Sequence, residues 1–432
     1  MNRNTFLQVA ASGALAATRF LPQALAQSGP AKVRIKITKV LPVPIKANRD
    51  SGATGWMLVR VQTDQGVEGI GEGFPLASRS LPNIQEIRKI IESIGAQIVG
   101  KSPLEIESFL NLFASETSSP ATIADLFRVQ PLDTPKNRRS AGPPSVNWVT
   151  AISAIEIALW DIAGQVAGLP IYAFLGGRVR QSIPLYANHG VFNALEQDTQ
   201  ERFDRAIRLK EAGFKMFKWD PFRTVGNPGP AEVRKYVNEV QVFRDGFGPD
   251  FPLAIDCHTK FDLEGGLRVA KELERFNLVF LEEPLPPGRP DEFRKISDTT
   301  SLRLAAGERL LTQRQAKELL DSGAIQVIQP EIGNFGGILA GRMTAALAEM
   351  YDVKVAMHCW CSPVLCRAAA HISASIPNLL VQEYPAVAPE YPWENEMLDP
   401  PTEIRNGEIV MTDRPGLGSK LNEKLIASRV LD

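Results

Sequence analysis

Cysteine and histidine are both scarce in this chain, four of each in 432 residues. The cysteines stand at 257, 359, 361 and 366, and no second Cys-x-x-Cys or His pair completes a zinc set. Cys359 and Cys361 lie too close in an extended segment to bridge easily, although export would make a disulfide in that stretch chemically accessible. The four are read as packing thiols. An excess of charge is missing too: 48 Lys and Arg face 49 Asp and Glu, for a formal net charge of −1. Without a basic block or basic and aromatic interleaving, no nucleic-acid partner is expected, and a small polar molecule fits better. The absence of an H-x-H pair argues against a barrel that binds its metal through histidines.

What is present begins with a leader. Arg3, an apolar stretch from Phe6 to Ala17 and the small-residue site Ala24-Leu25-Ala26 have the layout of a secretory signal over residues 1–27. The apolar stretch is too short to span a bilayer, so no membrane anchor is expected. The run Asn2 to Leu7 resembles a twin-arginine signal with Asn4 in place of the second arginine, and an exported, periplasmic location is expected.

Beyond the leader the chain divides by pattern. Two strand-like segments, VRIKITKVLPVPI and WMLVRVQTDQGVEGIGEG, precede helical patterns near 83–99 and 103–114. They predict an α+β domain over 28–149, with a long loop at 115–147 rich in Pro, Ser, Thr and basic residues. From Thr150 an apolar helix runs to Gly168 and Pro170. Eight apolar strands then alternate with helices: IPLYAN, KMFKWD, PLAIDC, LVFLEE, RLAAGE, IQVIQP, VKVAMH and LLVQE. This alternation predicts a (β/α) barrel domain over 150–385. In the 386–432 segment, the strand-like EIVMT and the final helix are expected to return to the N-terminal domain.

The ends of these strands carry the chemistry. Asp256, Glu282 and Glu308 each close an apolar run, and 26 residues separate each from the next. One strand, one helix and two loops fill that interval, so a βα repeat brings all three acids to one mouth of the barrel. Three converging oxygen ligands describe a Mg²⁺ site with room for water and substrate. Lys218 and Asp220 close the second strand, His258 follows Asp256 by two, Glu331 follows the sixth strand, His358 closes the seventh and Glu383 the eighth. Residues i and i+2 of a strand share a face, so Lys218 is placed beside Asp220, where a plain ion pair is the alternative to a role in the site. His189, after the first strand, is equally open to substrate binding and to packing. His371 is read as structural, and Trp160 and Asp161 as packing and helix-end residues.

AISAIEIALWDIAG, FLEEP, AAGE, the Gly-Gly of EIGNFGG and the terminal PGLG together resemble the enolase superfamily, in its mandelate racemase and muconate-lactonizing branch. That resemblance spans nearly the whole mature chain. It implies an α+β capping domain on a modified (β/α)7β barrel, and selects Glu282 over Glu283 as ligand. Asp256-x-His258, the lone His358 and Glu383 are similar to acid-sugar dehydratases of the D-galactonate and mannonate type. By that resemblance Mg²⁺ on the triad stabilises an enediolate, His358 removes the α-proton oriented by Glu331, and His258 protonates the departing β-hydroxyl. Glu383 binds the substrate or intermediate, and the product is a 2-keto-3-deoxy sugar acid. The partner of the histidine is usually aspartate, and the extra methylene of Glu331 changes the reach by about 1.5 Å. Racemases of the branch carry K-x-K where this chain has Lys218-Trp219-Asp220. A neighbouring aspartate keeps Lys218 charged, suited to binding a carboxylate or stabilising the enolate. Racemisation or epimerisation of a carboxylate, and sugar-acid binding without turnover, are the competing readings. Assembly of identical subunits is expected. Specificity is assigned to loops at 46–56 and 74–81, with 115–147 contributing. There Lys46, Arg49 and Arg79 are either surface charges or a site for a second carboxylate.

Overall fold

The computed structural model describes residues 34–47, 55–76, 78–116, 146–188, 198–286, 288–385 and 392–431. The expected leader, His189, Arg49 and most of the 115–147 loop lie outside the described residues. The described residues from Lys36 onward fold as one compact unit.

Strands β1 (Ile37–Lys46), β2 (Gly55–Thr63) and β3 (Glu68–Gly73) form an antiparallel sheet, with helices α1 (Leu81–Ile98) and α2 (Ile106–Glu116) following it. Helix α3 (Val146–Ala167) starts four residues earlier than the apolar pattern predicts, and Gly168, at φ 68°, ends it. Its length and apolarity would suit a membrane, but most of its residues are buried inside the protein. It lies against β3 so closely that a Cβ on Gly71 would come 2.0 Å from the Ala154 carbonyl oxygen. Three buried carboxylates on these elements act as clamps. Asp161 accepts from the Ile70 and Leu417 amides. Glu156 accepts from Ile338 and Leu339, and Glu72 of β3 from Ser362 and Leu365. Burial raises all three, Asp161 and Glu156 to about 7 and Glu72 to about 8, against the pull of those donors.

After the short α4 (Ile171–Phe174), eight parallel strands close a barrel. They are β4 (Ser182–Asn188), β5 (Phe217–Trp219), β6 (Leu253–Asp256), β7 (Leu281–Glu282), β8 (Leu304–Ala306), β9 (Val327–Ile328), β10 (Lys354–Met357) and β11 (Leu379–Tyr384). Pairing of β11 with β4 completes the ring. Seven helices connect them in turn: α5 (Thr199–Glu211), α6 (Pro230–Phe247), α7 (Leu263–Leu273), α8 (Pro290–Ser297), α9 (Gln313–Asp321), α10 (Gly337–Glu349) and α11 (Pro363–Ser375). The eight segments read as strands in the sequence are these eight, and the architecture is the expected modified (β/α)7β barrel beside an antiparallel α+β domain.

One apolar layer fills the barrel, with one residue at each strand: Tyr186, Met216, Ala254, Phe280, Ala305, Val327, Ala356 and Val381. Large and small side chains mix around the ring, which lets them interdigitate. Two residues on, with the pleat returning to the same face, stand Asn188, Lys218, Asp256, Glu282, Gly307, Gln329, His358 and Glu383. This second layer is the floor of the site.

The tail corrects one expectation. In the segment EIVMT, β13 (Glu408–Val410) pairs antiparallel with barrel strand β4, and with β12 (Ile404–Arg405), instead of joining the N-terminal sheet. An edge of β4 outside the barrel ladder was open to it. The last helix, α12 (Glu423–Ala427), does reach that sheet: Glu423 pairs with Arg60 at 2.7 Å, and Leu431 N donates to Pro44 O at 2.8 Å.

Candidate active site

The three acids of the 26-residue interval meet. Asp256, Glu282 and Glu308 are buried, and each offers an oxygen such that all lie within 4.8 Å of one another. Asp256 and Glu282 sit in the floor layer itself. Glu308 stands one residue beyond its layer position, which Gly307 occupies at φ 147°. A Cβ on Gly307 would come 2.7 Å from Gln329 N, so glycine is required for the chain to turn here and deliver Glu308 to its partners.

Cationic side chains surround the triad. Lys218 Nζ lies 2.6 Å from Glu282 Oε2, 3.2 Å from Asp256 Oδ2 and 3.8 Å from Glu383 Oε1. Burial disfavours its charge, but these carboxylates raise its pKa well above the ordinary lysine value and keep it protonated. Arg309 Nη2 lies 2.8 Å from Glu308, and its Nε 2.8 Å from Glu283. Glu283 pairs with Arg309 and is not one of the three carboxylates whose oxygens converge. Gln329 donates to Glu282 Oε2 at 2.7 Å, while Glu282 Oε1 is buried without a hydrogen-bond partner. That unpartnered oxygen and a set of hard oxygen donors fit a divalent cation such as Mg²⁺.

Two histidine–carboxylate dyads flank the triad. His358 Nδ1 is 2.7 Å from Glu331 Oε2, and its Nε2 is 3.0 Å from Glu308 Oε2. Across the barrel, His258 Nδ1 is 2.8 Å from Asp220 Oδ2, and its Nε2 is 3.4 Å from Asp256 Oδ2. β6 and β10 are four strands apart in a ring of eight, so the two imidazoles address the triad from opposite sides. Burial opposes protonation of both. For His358, Glu383 and Glu308 outweigh it and raise the pKa well above the ordinary value; for His258, Asp256 and Asp220 raise it too. His358 is nearly closed off, its side chain 5% exposed, whereas His258 is 25% exposed. Its positive φ of 46° marks the turn that presents it to the barrel mouth.

Glu383 accepts from Asn188 Nδ2 and, at 2.9 Å, from Cys359 N. Lys218 and His358 overcome the effect of burial and hold it below the usual carboxylate range. Phe74, just past β3, stacks edge-on against His358 with centroids 5.5 Å apart, so the N-terminal sheet helps wall the site.

Lys218 and Asp220 depart from the sequence expectation. β5 ends at Trp219, the chain turns, and Asp220 takes the Phe222 amide, His258 and Lys260 as partners while Lys218 faces the triad. The charge on Lys218 is thus kept by Glu282, Glu383 and Asp256, and no Lys218–Asp220 ion pair occurs among the described residues. Sequence reasoning missed Arg309, Gln329, Asn188 and Lys260. The first directly follows Glu308, and the next two occupy the same layer positions as the acids, which is the signal that could have found them.

Comparison with known proteins identifies the family that carries this fold. Residues 201–425 match the family described as enolase C-terminal domain-like, and residues 32–176 match the mandelate racemase / muconate lactonizing enzyme N-terminal domain. The chain is 30% identical to the D-gluconate dehydratase of Thermoproteus tenax, over 86% of this chain and 69% of the relative. It is 29% identical to the D-xylonate dehydratase of Haloferax volcanii, over 87% and 86%. With the D-galactonate dehydratase of Pectobacterium atrosepticum it shares 28% identity, over 87% and 91%. A solved structure, the mandelate racemase/muconate lactonizing enzyme-like protein of Rubrobacter xylanophilus, superposes with a TM-score of 0.78 at 29% identity, covering 92% of this chain and 98% of that one. Family matches over both the N-terminal sheet and the barrel, with the acids and histidines at the strand ends, show that this chain belongs to the enolase superfamily, in its mandelate racemase and muconate lactonizing branch.

Proposed function

We propose that this protein is a Mg²⁺-dependent hydro-lyase that removes water from an aldonate or aldarate and yields a 2-keto-3-deoxy acid. The observation that carries the reading is the pair of His–carboxylate dyads facing one acidic triad from opposite sides of the barrel. Relatives named as dehydratases of gluconate, xylonate and galactonate support the substrate class.

Asp256, Glu282 and Glu308 would hold the cation. Bound there, it supplies positive charge against the substrate carboxylate, which makes the α-proton removable near neutral pH. With Glu308 committed to the cation, His358 would lose one of the carboxylates that hold it protonated, and its neutral Nε2 takes the α-proton, with Glu331 fixing the ring and stabilising the imidazolium that forms. His258 delivers a proton to the β-hydroxyl, which leaves as water. Asp220 is its positioning partner, and the partly open side chain suits a group that must reach a leaving oxygen. Lys218 stays charged and offsets negative charge on the reacting carboxylate. Glu383, held by two donors, binds a substrate hydroxyl. The resulting enol tautomerises to the keto acid. A two-base racemase would need a neutral lysine, and the three carboxylates about Lys218 oppose that.

The test is incubation of the full chain with Mg²⁺ and a panel of hexonates, pentonates and aldarates, with keto acid detected as its semicarbazone. Product from at least one member is expected. Tight binding of a panel member with no product from any would contradict the proposal.

A further inference from the structure

Three of the four cysteines converge beyond β10, with their sulfurs within 4.8 Å of one another. Cys359 Sγ lies 2.8 Å from Cys366 Sγ and 3.6 Å from Cys361 Sγ. Two thiolates sharing a tetrahedral zinc, each about 2.3 Å from the metal, would stand about 3.8 Å apart. The 359–366 pair is far closer than that, and no His or carboxylate joins the three among the described residues. A disulfide needs about 2.05 Å, so closing the gap takes a movement of about 0.8 Å. Cys361, two residues from Cys359, belongs to the same short loop. Cys366 instead reaches back from the first turn of α11.

We propose that Cys359 and Cys366 are a disulfide-forming pair that staples the His358 loop to α11. Cys359 directly follows His358, and its amide donates to Glu383 at 2.9 Å, so the bond would restrain the backbone carrying both side chains. With a peroxide as oxidant, the sulfur of one cysteine takes an oxygen to become a sulfenic acid and water leaves. The second sulfur then attacks the first, the S–S bond forms and a second water leaves. Two thiols and one peroxide thus give one disulfide and two waters. The sulfurs are buried, and burial pushes the Cys359 thiol well above its ordinary pKa, so the closed native protein reacts slowly. Prolonged exposure, or folding in an oxidising compartment, is needed to complete the bond.

The linkage is independent of the reaction assigned above, and so is its test. The full chain is held in excess hydrogen peroxide or in phosphine reductant, the reagent is removed, and thiols are alkylated in denaturant and mapped by mass spectrometry. The oxidised sample should show two alkylated cysteines, 257 and 361, and a peptide linked through 359 and 366 that is lighter by two hydrogens. Its melting temperature should exceed that of the reduced sample by about 3 °C. Cys361→Ser should keep the link and the rise, and Cys366→Ser should lose both. Four alkylated cysteines after oxidation, a link through Cys257 or Cys361, a link without a rise in melting temperature, or stoichiometric zinc on the reduced chain that Cys359→Ser abolishes would each overturn the proposal.

Discussion

Glu331 Oε2 lies 2.7 Å from His358 Nδ1, joining the ends of two neighbouring barrel strands and leaving Nε2 aimed at Glu308. Both partners are buried, so the carboxylate fixes the ring and favours its charged form. Replacing Glu331 with Gln should lower kcat by about 10²–10⁴-fold and leave KM within a few-fold. The acid limb of the pH–rate profile should move to lower pH, because a neutral amide no longer supports the imidazolium. Glu331→Asp, shorter by one methylene or about 1.5 Å, should fall between the two. Steady-state kinetics across pH checks all three.

Lys218 gives a prediction about the metal. Its ammonium is the nearest compensation for Glu282 and Asp256, so Lys218→Met should destabilise the apo protein by roughly 3–5 kcal/mol, the cost of a buried charge left without its partner. Added Mg²⁺ should restore part of the loss. Glu282→Gln should remove most of the Mg²⁺-induced rise in melting temperature, and chelation of wild type with EDTA should abolish turnover until Mg²⁺ is returned. Thermal melts with and without the ion check these outcomes.

The partly exposed His258 should separate the two halves of the reaction. In His258→Asn the α-proton can still be taken by His358, but the leaving hydroxyl has no proton donor. The variant should exchange the α-proton for deuterium in D₂O while product formation drops by about 10²-fold or more. Mass spectrometry of recovered substrate measures the exchange.

His371 predicts a pH dependence of stability. It is buried in α11, its Nδ1 accepts from the Tyr172 amide at 3.3 Å, and burial pushes its pKa from the ordinary 6.5 down to about 3. The folded state therefore holds it neutral while the unfolded chain protonates it below about 6.5. Its contribution is complete above that pH and is lost as the pH falls toward 3, about 5 kcal/mol in all. His371→Gln should be less stable at pH 7.5, and the difference from wild type should shrink by pH 5. Denaturant unfolding at both pH values checks the sign.

Much of this arrangement was legible because a barrel repeats. Their positions at strand ends gathered Lys218, Asp256, Glu282, His358 and Glu383 at one mouth of the barrel, and the equal intervals around Glu282 located the triad. Contacts across long separations left no such trace. Glu72 clamps Ser362, 290 residues away, and Phe74 reaches His358 from a different sheet. Strand geometry puts Lys218 beside Asp220 only if the strand runs past Trp219, and there the chain has already turned. Glu308 lies one residue past the floor position that Gly307 fills, and it reaches its partners only because glycine allows the turn there.

The central claim, loss of water and not inversion at the α-carbon, is tested most directly by incubating the full chain with Mg²⁺ and its aldonate or aldarate substrate in D₂O. The expected result is a 2-keto-3-deoxy acid, with little deuterium in the substrate that remains. Deuterium at the α-carbon of recovered substrate or its epimer, with no keto acid formed, would contradict the account.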